Sequence, residues 1–385
     1  MPRWLLPEAI EDILPDDAAA LETLRGRLLE RFRTHGYQLV IPPLLEYVES
    51  LFKGSGRDMD VRTLRLVDPI SGRMMGLRAD ITPQVARIDA HLLNRAGVAR
   101  LCYCASVAHA LPADFNSTRE PIQLGAELYG HAGIEADREI IALLADSLQT
   151  VGVAIARIDL GHVGIFRALA DAARICAETS EDIFHALQGK DGPTLRTLVR
   201  DIDEPCRSAF IAMLDCYGGP EVLERARARL PELPGITAAL NDLARIAGTL
   251  TKHAIGIDLA DLRGYHYHTG VVFAAYVAGQ AQAIALGGRY DDIGRLFGRP
   301  RPATGFSLDL RTLIRIVPLA PRRGAIIAPR KDEYACVPNL DQVIEQLRAH
   351  GEIVIRPLSG EEIRVEEIGG DRRLVVRDGA WRVEP

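Results

Sequence analysis

Between about Gly164 and Thr251 the sequence repeats apolar residues at helical spacing, with Phe184/Leu187, Phe210/Met213/Leu214 and Ile236/Leu240/Leu243 as clear pairs. Strand-like sequence lies on both sides of this all-helical block. On the N-terminal side "TLRLVDPISGRMMGLRADIT" reads as a hairpin around a turn at Pro69–Gly72, and "ARLCYCASVAHAL" is followed by "EPIQLGAELYGH" with only a polar loop between them. On the C-terminal side "IGIDLADLRGYHYHTGVVFAAYV", "AQAIALGGRYD" and "ATGFSLDL" again follow one another directly. Strands joined without helical crossovers exclude a doubly wound parallel sheet. They predict an α+β fold, a mostly antiparallel sheet flanked by helices, with the block at about 164–251 as an insertion.

Flanking helices are expected from Asp16 and Asp17 to Gly36, through Leu21, Leu24, Leu28 and Phe32, then over Ile81–Leu93 and from Asp137 to about Val151. "YQLVIPPLLEY" reads as a strand broken by Pro42 and Pro43. After Arg315 the proline-rich "IVPLAPRRG" reads as a linker. The expected organisation is therefore one large domain over 1–318 and a small C-terminal α/β domain over 319–385, with one helix from Leu340 to His350. Trp381 in the closing stretch is either a packing anchor or a partner contact.

Composition removes several functions. Of 385 residues 48% are apolar and 25% charged, the formal net charge is −6, and lysine is nearly absent. No basic block offers a footprint for a nucleic-acid backbone. No apolar run reaches the roughly 20 residues that span a bilayer, and the N-terminus turns acidic early, so a cytoplasmic protein is expected. The six cysteines and ten histidines have no metal-binding spacing, and neither a metal nor a cofactor is expected. Cys102 and Cys104 sit at period two and point to core packing.

The stretch "DLRGYHYHTGVVFAAY", residues 261–276, concentrates an arginine, tyrosines, histidines and glycines around one turn. With other segments it carries a resemblance. "GYQLVIPPLLEYVESLF" looks like the first motif of the class II aminoacyl-tRNA synthetases, "LRADITPQVAR" and "QLGAELYG" resemble the stretches that flank their second motif, and "GFSLDLRTL" stands at the third. "LRGYHYHTGVVF" and "LGGRYDDIG" resemble signatures of histidyl-tRNA synthetase. The likeness covers roughly residues 5–315, in the family's order.

What the resemblance implies is an amino-acid site formed by Asp80, Thr82, Gln123, Glu127, Arg263, Tyr267 and His268. The chemistry is consistent with free histidine. Its ammonium needs acceptors, its carboxylate a forked cation, and its ring matched polar partners. Each residue has a plainer reading. Asp80 could cap the helix that starts at Ile81. Gln123 and Glu127 could share an exposed face, Arg263 could be a surface cation, and His266 and His268 could be satisfied core histidines. A histidine at 268, where the synthetase has tyrosine, predicts weaker binding of histidine below about pH 6.5, when either ring protonates.

Two departures point away from catalysis. Adenylate formation needs cations on the ATP phosphates. His109 stands where the second motif places its arginine and Thr312 where the third does, with Asp309 in place of a glycine and Leu111 in place of a glutamate. The tail is shorter than the synthetase's anticodon-binding domain and of different pattern. A synthetase fold without these parts looks like the regulatory subunits of ATP phosphoribosyltransferase. That resemblance implies no catalysis of its own and no tRNA. It implies a homodimer, through Val40–Leu51, inside a hetero-octamer with the short-form catalytic subunit. The complex would catalyse the first step of histidine biosynthesis, with histidine as feedback effector. The alternatives are a divergent histidyl-tRNA synthetase or synthetase-like amino-acid ligase, supported by the retained Arg263, and a homodimeric amino-acid sensor without a transferase partner.

Overall fold

The structure is a computed structural model that describes residues 5–51, 61–112, 117–264, 267–317, 324–330, 339–361 and 369–385. Contacts divide the chain into two compact units, Met1–Pro318 and Leu319–Pro385.

In the first unit the strands are β1 (Gln38–Leu39), β2 (Leu45–Tyr47), β3 (Arg65–Val67), β4 (Met74–Leu77), β5 (Ala99–Ser106), β6 (Ile122–Tyr129), β7 (Ile155–His162), β8 (Tyr217–Gly218), β9 (Ile255–Asp258), β10 (Val271–Val277), β11 (Ala285–Arg289) and β12 (Ala303–Asp309). Nine of them form one sheet in the order β1-β5-β6-β12-β11-β10-β7-β9-β8. Only β1/β5 and β7/β9 pair in parallel. The mostly antiparallel sheet expected from consecutive strands is therefore present. The expected hairpin is present too, as β3 and β4, which with β2 make a separate three-stranded sheet.

Alternation along β5 sorts its side chains between two cores. Cys102 and Cys104 are buried with the helix Pro15–Thr34, through Leu21, Leu24, Leu28 and Phe32, and with the helix Ile134–Thr150. Leu101 and Tyr103 face a second core with Ile81, Val85, Tyr129 and Tyr290. A period of two makes this division inevitable once both faces of a strand are covered.

The segment expected to be one helix from Ile81 begins as an α-helix over Thr82–Arg87 and loosens into a π-helical turn over Ile88–Leu93. Asn94 closes it in the left-handed region, at φ +44°, where asparagine is tolerated. Six helices fill the block between β7 and β9, from Val163–Ala173 to Pro234–Ala247. One difference interrupts them: β8 lies inside this region and pairs with β9. Two residues of strand leave no periodicity to read.

The second unit has a four-stranded sheet ordered β14 (Val354–Ile355), β13 (Ala325–Ile327), β15 (Gly370–Arg377), β16 (Ala380–Glu384), with the helix Leu340–Ala349. Its core joins Ile326, Leu340, Ile344, Val354 and Leu374, and Trp381 packs against it. Among the described residues no helix is long and apolar enough to cross a membrane.

Candidate functional site

The site grows from the middle of the large sheet. Glu127 on β6 is buried to 1% exposure, and the register sets it opposite Gly305 on β12. Its Oε1 accepts from the Tyr103 hydroxyl at 3.0 Å and its Oε2 from the Tyr290 hydroxyl. Tyr103 reaches across Gly125, its register partner, where a Cβ would overlap the phenol. Its hydroxyl also meets Thr82 Oγ1 at 3.1 Å. Burial pushes the Glu127 carboxyl up to about 8, although both tyrosine bonds pull the other way.

Asp80, Thr82 and Gln123 form the next layer. Asp80 Oδ1 accepts from the Thr82 backbone N–H at 3.0 Å and from Gln123 Nε2 at 2.8 Å. Gln123 Oε1 in turn accepts from Ile81 N–H at 2.9 Å. Asp80 thus does hold the start of the helix. Both bonds use Oδ1, and among the described residues Oδ2 accepts none. Ionised, Glu127 likewise keeps a second lone pair on each oxygen.

Tyr267 and His268 close the other side. The Tyr267 ring lies 5.0 Å from that of Tyr290 and 5.5 Å from that of His268. His268 is wedged over Gly264 and Gly288, at both of which a Cβ would overlap its ring. Gly264 also has φ +63°, so two constraints favour glycine there. Burial holds the His268 imidazole neutral down to about 4. The expected repulsion between two protonated rings therefore loses one of its partners, and below pH 6.5 only the ligand's own ring would titrate. The Tyr267 and Tyr129 hydroxyls and His268 Nδ1 are buried with no hydrogen-bond partner among the described residues. Unmatched buried polar atoms cost free energy, and a polar ligand would supply the missing partners.

The structure thus brings Asp80, Thr82, Gln123, Glu127, Tyr267 and His268 together. Arg263 is already engaged: its guanidinium forks onto Asp261, through Nε at 2.7 Å and through Nη2. Burial opposes its charge, and the Asp261 fork more than offsets that, keeping it cationic. Tyr265 and His266 lie outside the described residues. Tyr103 and Tyr290 are site residues that sequence reasoning did not single out. Tyr290 lies within the quoted "LGGRYDDIG", and the alternation of Tyr103 between two cysteines is a signal that it points to the opposite face.

Around the positions of the missing phosphate clamps, every basic side chain described has a structural partner. His109 is buried, with Nε2 3.0 Å from the Ala79 carbonyl and Arg62 Nη2 3.4 Å from Nδ1. A proton on Nε2 that donates to Ala79 leaves Nδ1 to accept from Arg62. Burial and Arg62 lower its pKa and keep it uncharged. Arg119 Nε donates to the His109 carbonyl at 3.0 Å. Arg78 donates to the Ser106 and Pro42 carbonyls at 2.9 and 2.8 Å. Arg311 donates to the Glu11 carbonyl and pairs with Glu120. Asp309 accepts from the Arg311 and Thr312 backbone N–H groups, from Thr312 Oγ1 at 2.8 Å, and from Ile122 N–H at 2.9 Å. It caps the helix Leu310–Ile314 and ties it to β6. No group of His, Cys, Asp and Glu among the described residues is placed to hold a metal.

This fold, with an acidic and aromatic site over a glycine-relieved sheet, is that of the histidyl-tRNA synthetase-like class II proteins. The histidyl-tRNA synthetase family model matches residues 9–313. A solved structure from Bacillus halodurans, described as an ATP phosphoribosyltransferase regulatory subunit/histidyl-tRNA synthetase, superposes with TM-score 0.83 at 26% identity over 95% of this chain and 96% of that one. The histidyl-tRNA synthetase of Nostoc sp. PCC 7120, 19% identical, shares the fold with TM-score 0.77 over 97% of this chain and 91% of that one.

The C-terminal residues 323–384 match the model of the ATP phosphoribosyltransferase subunit HisZ C-terminal domain. Regulatory subunits of ATP phosphoribosyltransferase from Azoarcus sp. (strain BH72) and Ralstonia nicotianae are 57% and 54% identical to this chain, over 100% of its length and 99% of theirs. The chain belongs to the family of ATP phosphoribosyltransferase regulatory subunits.

Proposed function

We propose that this chain activates a short-form ATP phosphoribosyltransferase catalytic subunit for the first step of L-histidine biosynthesis, the joining of ATP to phosphoribosyl pyrophosphate. It contributes no catalysis of its own. Free histidine bound among Asp80, Thr82, Gln123, Glu127, Tyr267 and His268 is the feedback signal. One observation carries this reading: the amino-acid half of the site keeps unmatched buried polar atoms, whereas the cations near His109 and Thr312 are spent on internal bonds. Arg263 is the candidate for the histidine carboxylate, and taking that role requires it to exchange part of its fork onto Asp261.

Histidine shifts activity only if it binds inhibited and active assemblies unequally, with a typical coupling of ~1–3 kcal/mol. The assembly proposed is a homodimer within a hetero-octamer, in the cytoplasm and without tRNA. Exposed Leu45 and Leu66, which the register sets on one face of the small sheet of β2, β3 and β4, with exposed Ile41 and Leu44 just before β2, support a self-association face there. It overlaps the Val40–Leu51 segment.

A phosphoribosyltransferase assay with and without this chain, titrated with histidine, tests the reading. Failure to stimulate turnover would remove it. Retained Arg263 favours the runner-up, a divergent synthetase or amino-acid ligase, and robust histidine-dependent ATP–pyrophosphate exchange would establish that instead.

A further inference from the structure

The arm that carries Tyr267 and His268 is held from two sides. On one side Thr269 N–H donates to the Arg289 carbonyl at 2.7 Å, and Thr269 Oγ1 accepts from Asp291 N–H at 2.9 Å, which docks the arm on the loop that bears Tyr290. On the other side stands the first helix of the helical region, Val163–Ala173. Its first N–H, that of Val163, donates to the Gly270 carbonyl at 3.1 Å. One turn further, Arg167 Nη2 donates to the His268 carbonyl at 2.7 Å.

The origin of this second clamp is topological. His162, the last residue of β7, pairs with Val271, the first of β10, and its Nδ1 accepts from Gly164 N–H at 3.1 Å to start the helix. The helix therefore begins where the arm ends. Residues 163 and 167 lie one turn apart, and so meet the carbonyls of Gly270 and His268, two residues apart on the arm. The same helix packs into the helical region through Phe166, whose ring meets that of Phe210 edge-on at 5.8 Å. The cations Arg263 and Arg289 near the arm are paired with Asp261 and Asp137.

We propose that Arg167 is the positioning residue of the ring-binding arm, and that through it amino-acid occupancy is communicated to the helical region. This rests on the reading that the site holds free histidine. Arg167 acts through the His268 backbone: it fixes where the Tyr267 hydroxyl and the His268 ring stand over Glu127. A ligand that completes those groups stiffens the arm, and the arm is bonded to the helix that packs on Cys206–Met213. A charge-assisted bond to a carbonyl belongs to the stronger class of hydrogen bonds, so its removal should be felt.

The test uses the full chain. Histidine titration calorimetry on the wild type, Arg167→Ala and Arg167→Lys is expected to show at least a tenfold loss of affinity in the alanine variant and partial recovery in the lysine variant. Thermal melts confirm that each is folded, and Arg167→Gln replaces the alanine variant should that one unfold. Hydrogen exchange supplies a readout that a purely structural role would not move. Histidine should slow exchange over 163–173 and 206–213 in the wild type and lose that effect in Arg167→Ala. Wild-type binding that the alanine variant matches within twofold, or equal protection in both, overturns the assignment of Arg167 alone. A wild type that binds no histidine overturns the site reading and this one with it.

Discussion

Gly305 on β12 faces Glu127 on β6 across a direct backbone pair, and the Glu127 carboxylate occupies the space that a side chain at 305 would fill. A Cβ there would also stand 2.7 Å from the Ala126 carbonyl, which cannot swing aside. Gly305→Ala is expected to destabilise the chain by about 1–3 kcal/mol, typical of an overpacked core. It should also displace Glu127 from Tyr290 and weaken histidine binding. Urea unfolding and calorimetry measure the two effects; an alanine variant with wild-type values for both contradicts this account.

Glu127 makes stability pH-dependent in a definite direction. Its carboxyl lies at about 8 in the folded chain against an ordinary 4.5, so the folded state keeps a proton that the unfolded chain releases. The contribution is whole below about pH 4.5 and is lost as pH rises through 8, an effect on the order of 2–4 kcal/mol. Glu127→Gln should be indifferent to that change and should outlast the wild type at pH 8.5. Unfolding midpoints of both proteins at pH 5 and 8.5 decide the matter, and parallel curves would count against a titrating Glu127.

Restoring an arginine at the second-motif position should fail. His109 sits buried between the Ala79 carbonyl and Arg62, so His109→Arg sets a second guanidinium against Arg62 in a space that holds only an imidazole. A cost of about 2–4 kcal/mol is expected, and no ATP–pyrophosphate exchange. Denaturant titration of His109→Arg beside His109→Gln checks it, the glutamine being the milder change.

Arg289 pairs with the fully buried Asp137 through Nε at 3.0 Å and Nη2 at 2.6 Å, and reaches the His131 and Gly133 carbonyls as well. Asp137→Ala leaves that charge to Asp291, whose Oδ1 lies 3.3 Å from Nη1, and should cost about 3–5 kcal/mol. A double variant, Asp137→Ala with Arg289→Met, should recover much of the loss. Equal destabilisation of single and double variants would show that the pair itself matters little.

The apolar face around β2 predicts an oligomeric change. Leu45→Glu places a charge on the sheet face that also carries Leu66 and should shift the chain towards monomer at micromolar concentration without lowering its melting temperature greatly. Light scattering on both proteins reads the mass directly. Unchanged dimers would move the self-association face elsewhere.

Much of this was legible in the chain itself. The strand order along the sequence, the helix that bears Leu21, Leu24, Leu28 and Phe32, and the two-faced alternation at Cys102 and Cys104 follow from periodicity, whereas the grouping of Asp80, Thr82, Gln123, Glu127, Tyr267 and His268 came from the resemblance to histidyl-tRNA synthetase. The short strand β8 was not legible, because its pairing with β9 is a long-range event with no local signature. Nor was the loosening of the helix after Arg87.

The sequence by itself determined the fold class and the absence of arginine at 109 and 312, since residue identity and spacing are local properties. Only the tertiary structure decided how side chains are spent. Arg263 forks onto Asp261, Asp309 caps a helix, and Tyr103 and Tyr290 converge on one carboxylate from segments far apart in the chain. A hydrogen bond is a relation between two atoms in space, and burial, which sets its worth and shifts the pKa of Glu127 and His268, exists only once the chain has closed around them.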